Sequence, residues 1–88
     1  MPASANALAQ VGRYPRATSL AQRARRIFTR HDDALRAARV DANLATLLFR
    51  RDRAEEALRR GQRALRTFER VGAVEDVAIT LLNTAARL

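Results

Sequence analysis

Catalysis needs reactive side chains that a fold can bring together, and this chain carries few of them. His31 is the only histidine and there is no cysteine. A histidine-based metal site, a Ser–His–Asp triad and any thiol or disulfide chemistry therefore lack their material. Ser4 and Ser19 have no base near them in sequence. Glu55 and Glu56 are adjacent acids, but neighbours on a helix diverge by about 100°, so the two cannot flank one substrate. They read instead as first-turn charges facing the positive end of a helix dipole. No glycine-rich phosphate loop is present. The expectation is no enzyme, no cofactor and no metal centre, with His31 packed at a helix end.

What remains is binding chemistry. Arg39, Asn43, Thr46 and Arg50 recur at steps of four, three and four, a polar strip on one helix face. A guanidinium can pair bidentately with a carboxylate, and a carboxamide can hold a peptide backbone. Arg59, Arg63, Arg66 and Arg70 form a second row, with Arg23, Arg26 and Arg30 as upstream counterparts. Such a row would track phosphates, but no aromatic platform or base-reading motif accompanies it. A solvated outer face is the simpler reading, and nucleic acid is the weaker of two partner classes. All 17 basic residues are arginine, against nine acids, for a net charge of +8. An arginine-only, alanine-rich composition points to a GC-rich genome rather than to a basic surface under selection. A partner with negative charge stays open.

The elements that must position these residues are helices. Residues 52–71 are the clearest. Asp52 suits an N-cap, Glu55 lies at capping-box spacing, and Gly72 suits a left-handed C-cap. Ala54, Ala57, Leu58, Gly61, Ala64, Leu65, Phe68 and Val71 recur on a 3.6-residue period, with Glu55–Arg59 and Glu56–Arg60 as i,i+4 pairs. Ala54, Ala57, Gly61 and Ala64 form a flat seam, with Gly61 expected at the closest helix approach. Upstream, Ala3–Val11 reads as a short helix, broken at Gly12-Arg13-Tyr14-Pro15. A second helix runs from Pro15 to His31 with Ala17, Leu20, Ala21, Ala24, Ile27 and Phe28 buried. Asp32-Asp33 is a hinge and cap. A third helix spans Ala34–Arg50 with two apolar faces, and a fifth begins at Val74. Strand signals are absent.

An offset of 40 residues relates the two halves. Ala57, Ala64 and Phe68 return as Ala17, Ala24 and Phe28, Gly61 as Ala21, and Asn83 as Asn43. Short helices joined by tight turns at this period give an all-α αα-hairpin solenoid of about five helices. Gly12-x-Tyr14-x-x-Ala17 with Ala24, Asp52 to Leu58 with Ala64-Leu65, and Asn43-Leu44-Ala45 with Asn83-Thr84-Ala85 resemble tetratricopeptide (TPR) repeats. The period exceeds the minimal 34-residue unit. With Phe68-Glu69-Arg70-Val71-Gly72 at the junction, it is similar to the longer bacterial repeats found beside caspase-like CHAT peptidase or transcription-regulator domains.

The resemblance implies a protein–protein interaction module that binds a peptide or helix of another protein. The implied surface is the first helix of each repeat, here Arg39, Asn43, Thr46, Arg50 and Asn83, with an acidic partner expected. It divides the chain into a partial repeat (1–31), a full repeat (32–72) and the start of a third (73–88). Val77, Ile79, Leu81, Leu82 and Leu88 are too many for one buried face. Either self-association through 74–88 or a longer parent array is expected to cover them. Met1–Pro15 lacks a signal-peptide pattern and the longest late uncharged run, Val77–Ala86, is half a membrane span. A cytoplasmic location follows as the expectation.

Overall fold

The computed structural model describes the backbone of residues 3–87 and the side chains of residues 15–86. Among the described residues it contains four helices and no strand: α1 (Ala3–Arg30), α2 (Ala34–Arg50), α3 (Ala54–Val71) and α4 (Val74–Arg87). The count is four rather than about five because α1 runs unbroken through Gly12 and Pro15. An interior proline removes one backbone hydrogen bond at a cost of about 3 kcal/mol. The helix carries that loss here, and Gly12 permits a turn without enforcing one.

The three turns share one construction. Asp32, Asp52 and Gly72 take left-handed φ angles of 55°, 63° and 75°. In each case the next residue donates its N–H back over the turn. Asp33 reaches the carbonyl of Phe28 (2.8 Å), Arg53 that of Leu48 (2.9 Å) and Ala73 that of Phe68 (2.8 Å). This is the Schellman closure, which satisfies the last helical carbonyls and reverses the chain in three residues. Asp33 then caps α2 by accepting from the Arg36 N–H at 3.1 Å. Asp52, expected as the cap of α3, sits one residue early. Its left-handed backbone is the end of the preceding helix, and the N-cap position falls on Arg53, which makes no side-chain cap bond. Glu56–Arg60 closes at 3.9 Å, and no Glu55–Arg59 ion pair forms.

Such tight turns lay consecutive helices antiparallel. Helix α2 packs on α1 and α3, and α3 packs between α2 and α4, which also meet each other. The radius of gyration, 14.0 Å, exceeds the roughly 12 Å of a compact chain of this length. The molecule grows along a stack of helices instead of around a centre. Its core is small. Ala38, Ala64 and Phe68 form one cluster, joined by Leu35, Ala42, Ala73 and Val77. Ala45, Leu48 and Ala57 form another, with Phe49 against it. A Cβ on Gly61 would meet the Ala45 Cβ at 4.0 Å, an ordinary contact, so Gly61 is near the seam without being required there.

The α1 stripe is covered less than its pattern implies. Ala17, Ala21, Ala24 and Phe28 are half-buried, while Leu20, Ile27 and His31 are exposed. His31 stands in the turn, outside the packed face. On α3, Ala54 and Val71 at the two ends of the helix are exposed as well. Among the described residues no helix is long and apolar enough to cross a membrane.

Candidate functional site

Helices α2 and α4 bear the polar strips at matching positions, and side by side they form a groove floored by α3. The groove holds about 240 Å³ and is lined by Arg39, Asn43, Thr46 and Phe49 of α2, Asp76, Ile79, Thr80, Asn83 and Thr84 of α4, and Gly61 and Phe68 beneath. Arg39, Asn43, Thr46 and Asn83 are thus brought together. Arg50 is exposed at the end of α2 and does not line the groove. The spacing explains this. Arg50 lies seven residues, nearly two turns, beyond Asn43 and is the last residue of α2.

The groove's polar groups are not equivalent. Arg39 donates through Nε and Nη2 to both carboxylate oxygens of Asp76, each at 3.0 Å. This bidentate pair ties α2 to α4 across 37 residues. The hydrogen bonds from Arg39 hold the Asp76 carboxyl below the usual carboxylate range, against a smaller opposing effect of desolvation. The same bonds raise the Arg39 guanidinium above its ordinary value. Thr46 and Thr84 turn their hydroxyls back to the Ala42 and Thr80 carbonyls, at 3.4 and 2.9 Å. Asn43 and Asn83 are exposed, and among the described residues nothing holds their side-chain amides. Each carboxamide has donors and an acceptor to offer.

A second polar centre was not legible in the strips. Asp41 is only 1% exposed, on the buried face of α2. Three guanidinium groups from two other helices converge on it. Arg25 of α1 donates through Nε at 3.0–3.1 Å. From α3, Arg60 donates through Nη1 at 3.2 Å, and Arg63 through Nε and Nη2 at 3.2 and 3.0 Å. A buried carboxylate so surrounded has its lone pairs filled. Asp41 therefore locks α1, α2 and α3 together and has nothing left to offer a ligand. The available signal was position: Asp41 lies between Ala37, Ala38 and Leu44, Ala45, in the middle of the helix face that the apolar period buries.

The arginine row on α3 lines a shallow depression formed by Glu56, Arg59, Arg60, Gln62, Arg63 and Arg66. Of the row, Arg70 lies outside this depression and Arg63 is engaged with Asp41, while Arg60 beside the row pairs with both Asp41 and Glu56. Among the described residues, no group of three or more His, Cys, Asp or Glu could hold a metal ion.

The tetratricopeptide repeat family model matches residues 3–70 of the chain. No curated protein and no solved structure matches the chain.

Proposed function

Since this chain belongs to the tetratricopeptide repeat family, we propose that it is a protein-interaction module whose α2–α4 groove holds an extended segment of a partner protein. The observation that carries this reading is the pair of unheld amides, Asn43 and Asn83, 40 residues apart in sequence and facing one groove. An extended peptide exposes its own N–H and C=O groups, and a carboxamide can answer both at once. Ile79 and Phe49 supply apolar surface for alternate side chains. Thr46 and Thr84 set the polar walls. Arg39 plays a different part from the one its charge suggests. Its guanidinium is committed to Asp76, so it fixes the groove's width more than it recruits an acidic partner. In repeat terms, α2 and α3 form the complete unit, α1 the second helix of the unit before and α4 the first helix of the unit after.

The test is selection of binders from a random-peptide library, followed by affinity measurement on variants. Asn43→Ala with Asn83→Ala should weaken binding at least roughly tenfold, since each amide contributes on the order of 1 kcal/mol. Helicity by circular dichroism should not change. Arg59→Glu with Arg66→Glu should leave peptide affinity within about twofold.

The second reading, a nucleic-acid binder, rests on the arginine-lined depression of α3. It makes the opposite forecast: the arginine reversals abolish binding, and affinity falls linearly in log salt. That pattern, with no peptide selected, would replace the groove as the working surface.

A further inference from the structure

We propose that the chain stacks head to tail on a second copy of itself, α4 of one molecule packing against α1 of the next as α2 packs against α3 within the chain. The argument comes from comparing equivalent residues across the 40-residue offset. Ala57, Ala64 and Phe68 on α3 are 0, 0 and 1% exposed. Their equivalents Ala17, Ala24 and Phe28 on α1 are only half-buried. The difference is a missing neighbour, because α3 lies between two helices and α1 packs on α2 alone. At the other end the reverse holds. Ala38 and Ala45 of α2 are covered by α3, at 2 and 7% exposed. Their equivalents Ala78 and Ala85 on α4 are less covered, and Leu82, at the place of Ala42, is 69% exposed. Helix α1 lacks a helix of the α2 kind, and α4 is one. Helix α4 lacks a helix of the α3 kind, and α1 is one.

Two substitutions between the copies of the repeat make the ends fit each other. In the inner joint Asp41 meets Arg60 at 3.2 Å. At the same offset Asp41 becomes Leu81 and Arg60 becomes Leu20, exposed by 53 and 57%. A charged pair inside is thus replaced at both bare ends by leucines that would face each other. Arg23 keeps the place of Arg63, whose carboxylate partner Asp41 has no counterpart at Leu81, and charge agrees at the other end of the joint. Among its described residues α1 carries Arg16, Arg23, Arg25, Arg26 and Arg30 and no acid, while α4 opens with Glu75 and Asp76. Glu75 stands at the place of Leu35, which packs by Phe68, and so would lie near the Arg30 end of the neighbouring α1. Such a joint is heterologous, leaving a free end on every oligomer unless a ring closes.

Sedimentation of Leu20→Glu and Leu82→Glu tests the geometry. The wild-type chain should exceed monomer mass at micromolar concentration, with mass rising as concentration rises. Each variant alone should be a folded monomer. Their equimolar mixture should form a dimer and stop there, because one intact α4 and one intact α1 remain to make a single joint. Should Leu82→Glu fail to fold, Ala85→Glu on the same face replaces it. Association lost with Leu82→Glu but kept with Leu20→Glu would show an α4–α4 contact and overturn the proposal. So would a wild-type chain that stays monomeric with full helicity, which would leave the α4 face to a different protein or to a further repeat.

Discussion

Replacing Asp41 by Asn keeps the side chain's shape and removes the charge that three guanidinium groups share. A hydrogen bond to a charged group contributes roughly 1.5–3 kcal/mol, and the arginines, 20–47% exposed in their side chains, can rehydrate in part. Asp41→Asn should therefore lower stability in urea by about 2 kcal/mol. Arg63→Ala should lower it by less than about 1 kcal/mol, because Arg25 and Arg60 still satisfy the carboxylate. Equal losses for the two would mean that Asp41 is not the hub. Asp76 gives a pH-dependent counterpart. Its pKa is lower folded than unfolded, so its contribution is complete above the ordinary carboxylate range and is lost as pH falls through the lowered value. Carboxyl NMR should place Asp76 below that range, and Arg39→Ala should move it back up. Asn43 and Thr46 were legible as neighbours because helical period alone puts them on one face of α2, and Asn83 because the 40-residue offset relates it to Asn43. Asp41 and the Arg39–Asp76 pair were not, because their partners lie 16 to 37 residues away. No local pattern encodes which distant side chain will arrive.

The turns belong to the next scale. Asp32 and Asp52 hold left-handed φ angles at a steric cost from their Cβ atoms, whereas Gly72 adopts the same geometry freely. Asp32→Gly and Asp52→Gly should each raise stability by about 0.5–1 kcal/mol, and Gly72→Ala should cost about 1 kcal/mol, all read as shifts of the thermal midpoint. Space does not limit Gly72, since a methyl group placed there would find nothing within 4 Å; the backbone angle does. Gly61→Ala should go the other way from Gly72→Ala and add about 0.5–1 kcal/mol of helix propensity. Its methyl meets only Ala45, and the repeat already places Ala21 at the equivalent position. The ends at Asp33 and Gly72 were readable from cap chemistry. The start of α3 was displaced because aspartate suits both an N-cap and a left-handed turn, and only the chain reversal at Leu48–Arg53 decides between them. Gly12 and Pro15 misled in the opposite sense: their types permit a break, but the helical hydrogen bonds on either side outweigh the single one lost.

At the scale of the molecule, burial among the described residues is concentrated in the middle of the stack. Among the described residues the buried apolar ones are Ala37, Ala38, Leu44, Ala45 and Leu48 on α2 and Ala57, Ala64 and Phe68 on α3. Five of the eight are alanines, so each contributes little transfer free energy, and the larger share rests on Leu44, Leu48 and Phe68. In a linear stack each helix is stabilised by its neighbours, and an end helix has fewer of them. Stability should then fall outward from the α2–α3 hairpin, with α1 and α4 opening first. Native-state hydrogen exchange measures this directly. At concentrations low enough to keep the chain dispersed, amides of Leu44–Leu48 and Ala64–Phe68 should exchange slowest, at the global unfolding free energy. Those of Ala78–Ala85 should exchange through smaller openings, although α4 is held to α2 by Arg39 and Asp76. Arg39→Ala should speed exchange in α4 while leaving the hairpin's slowest amides nearly unchanged. Uniform protection over all four helices would show one cooperative unit, and with it a core that extends beyond the central hairpin.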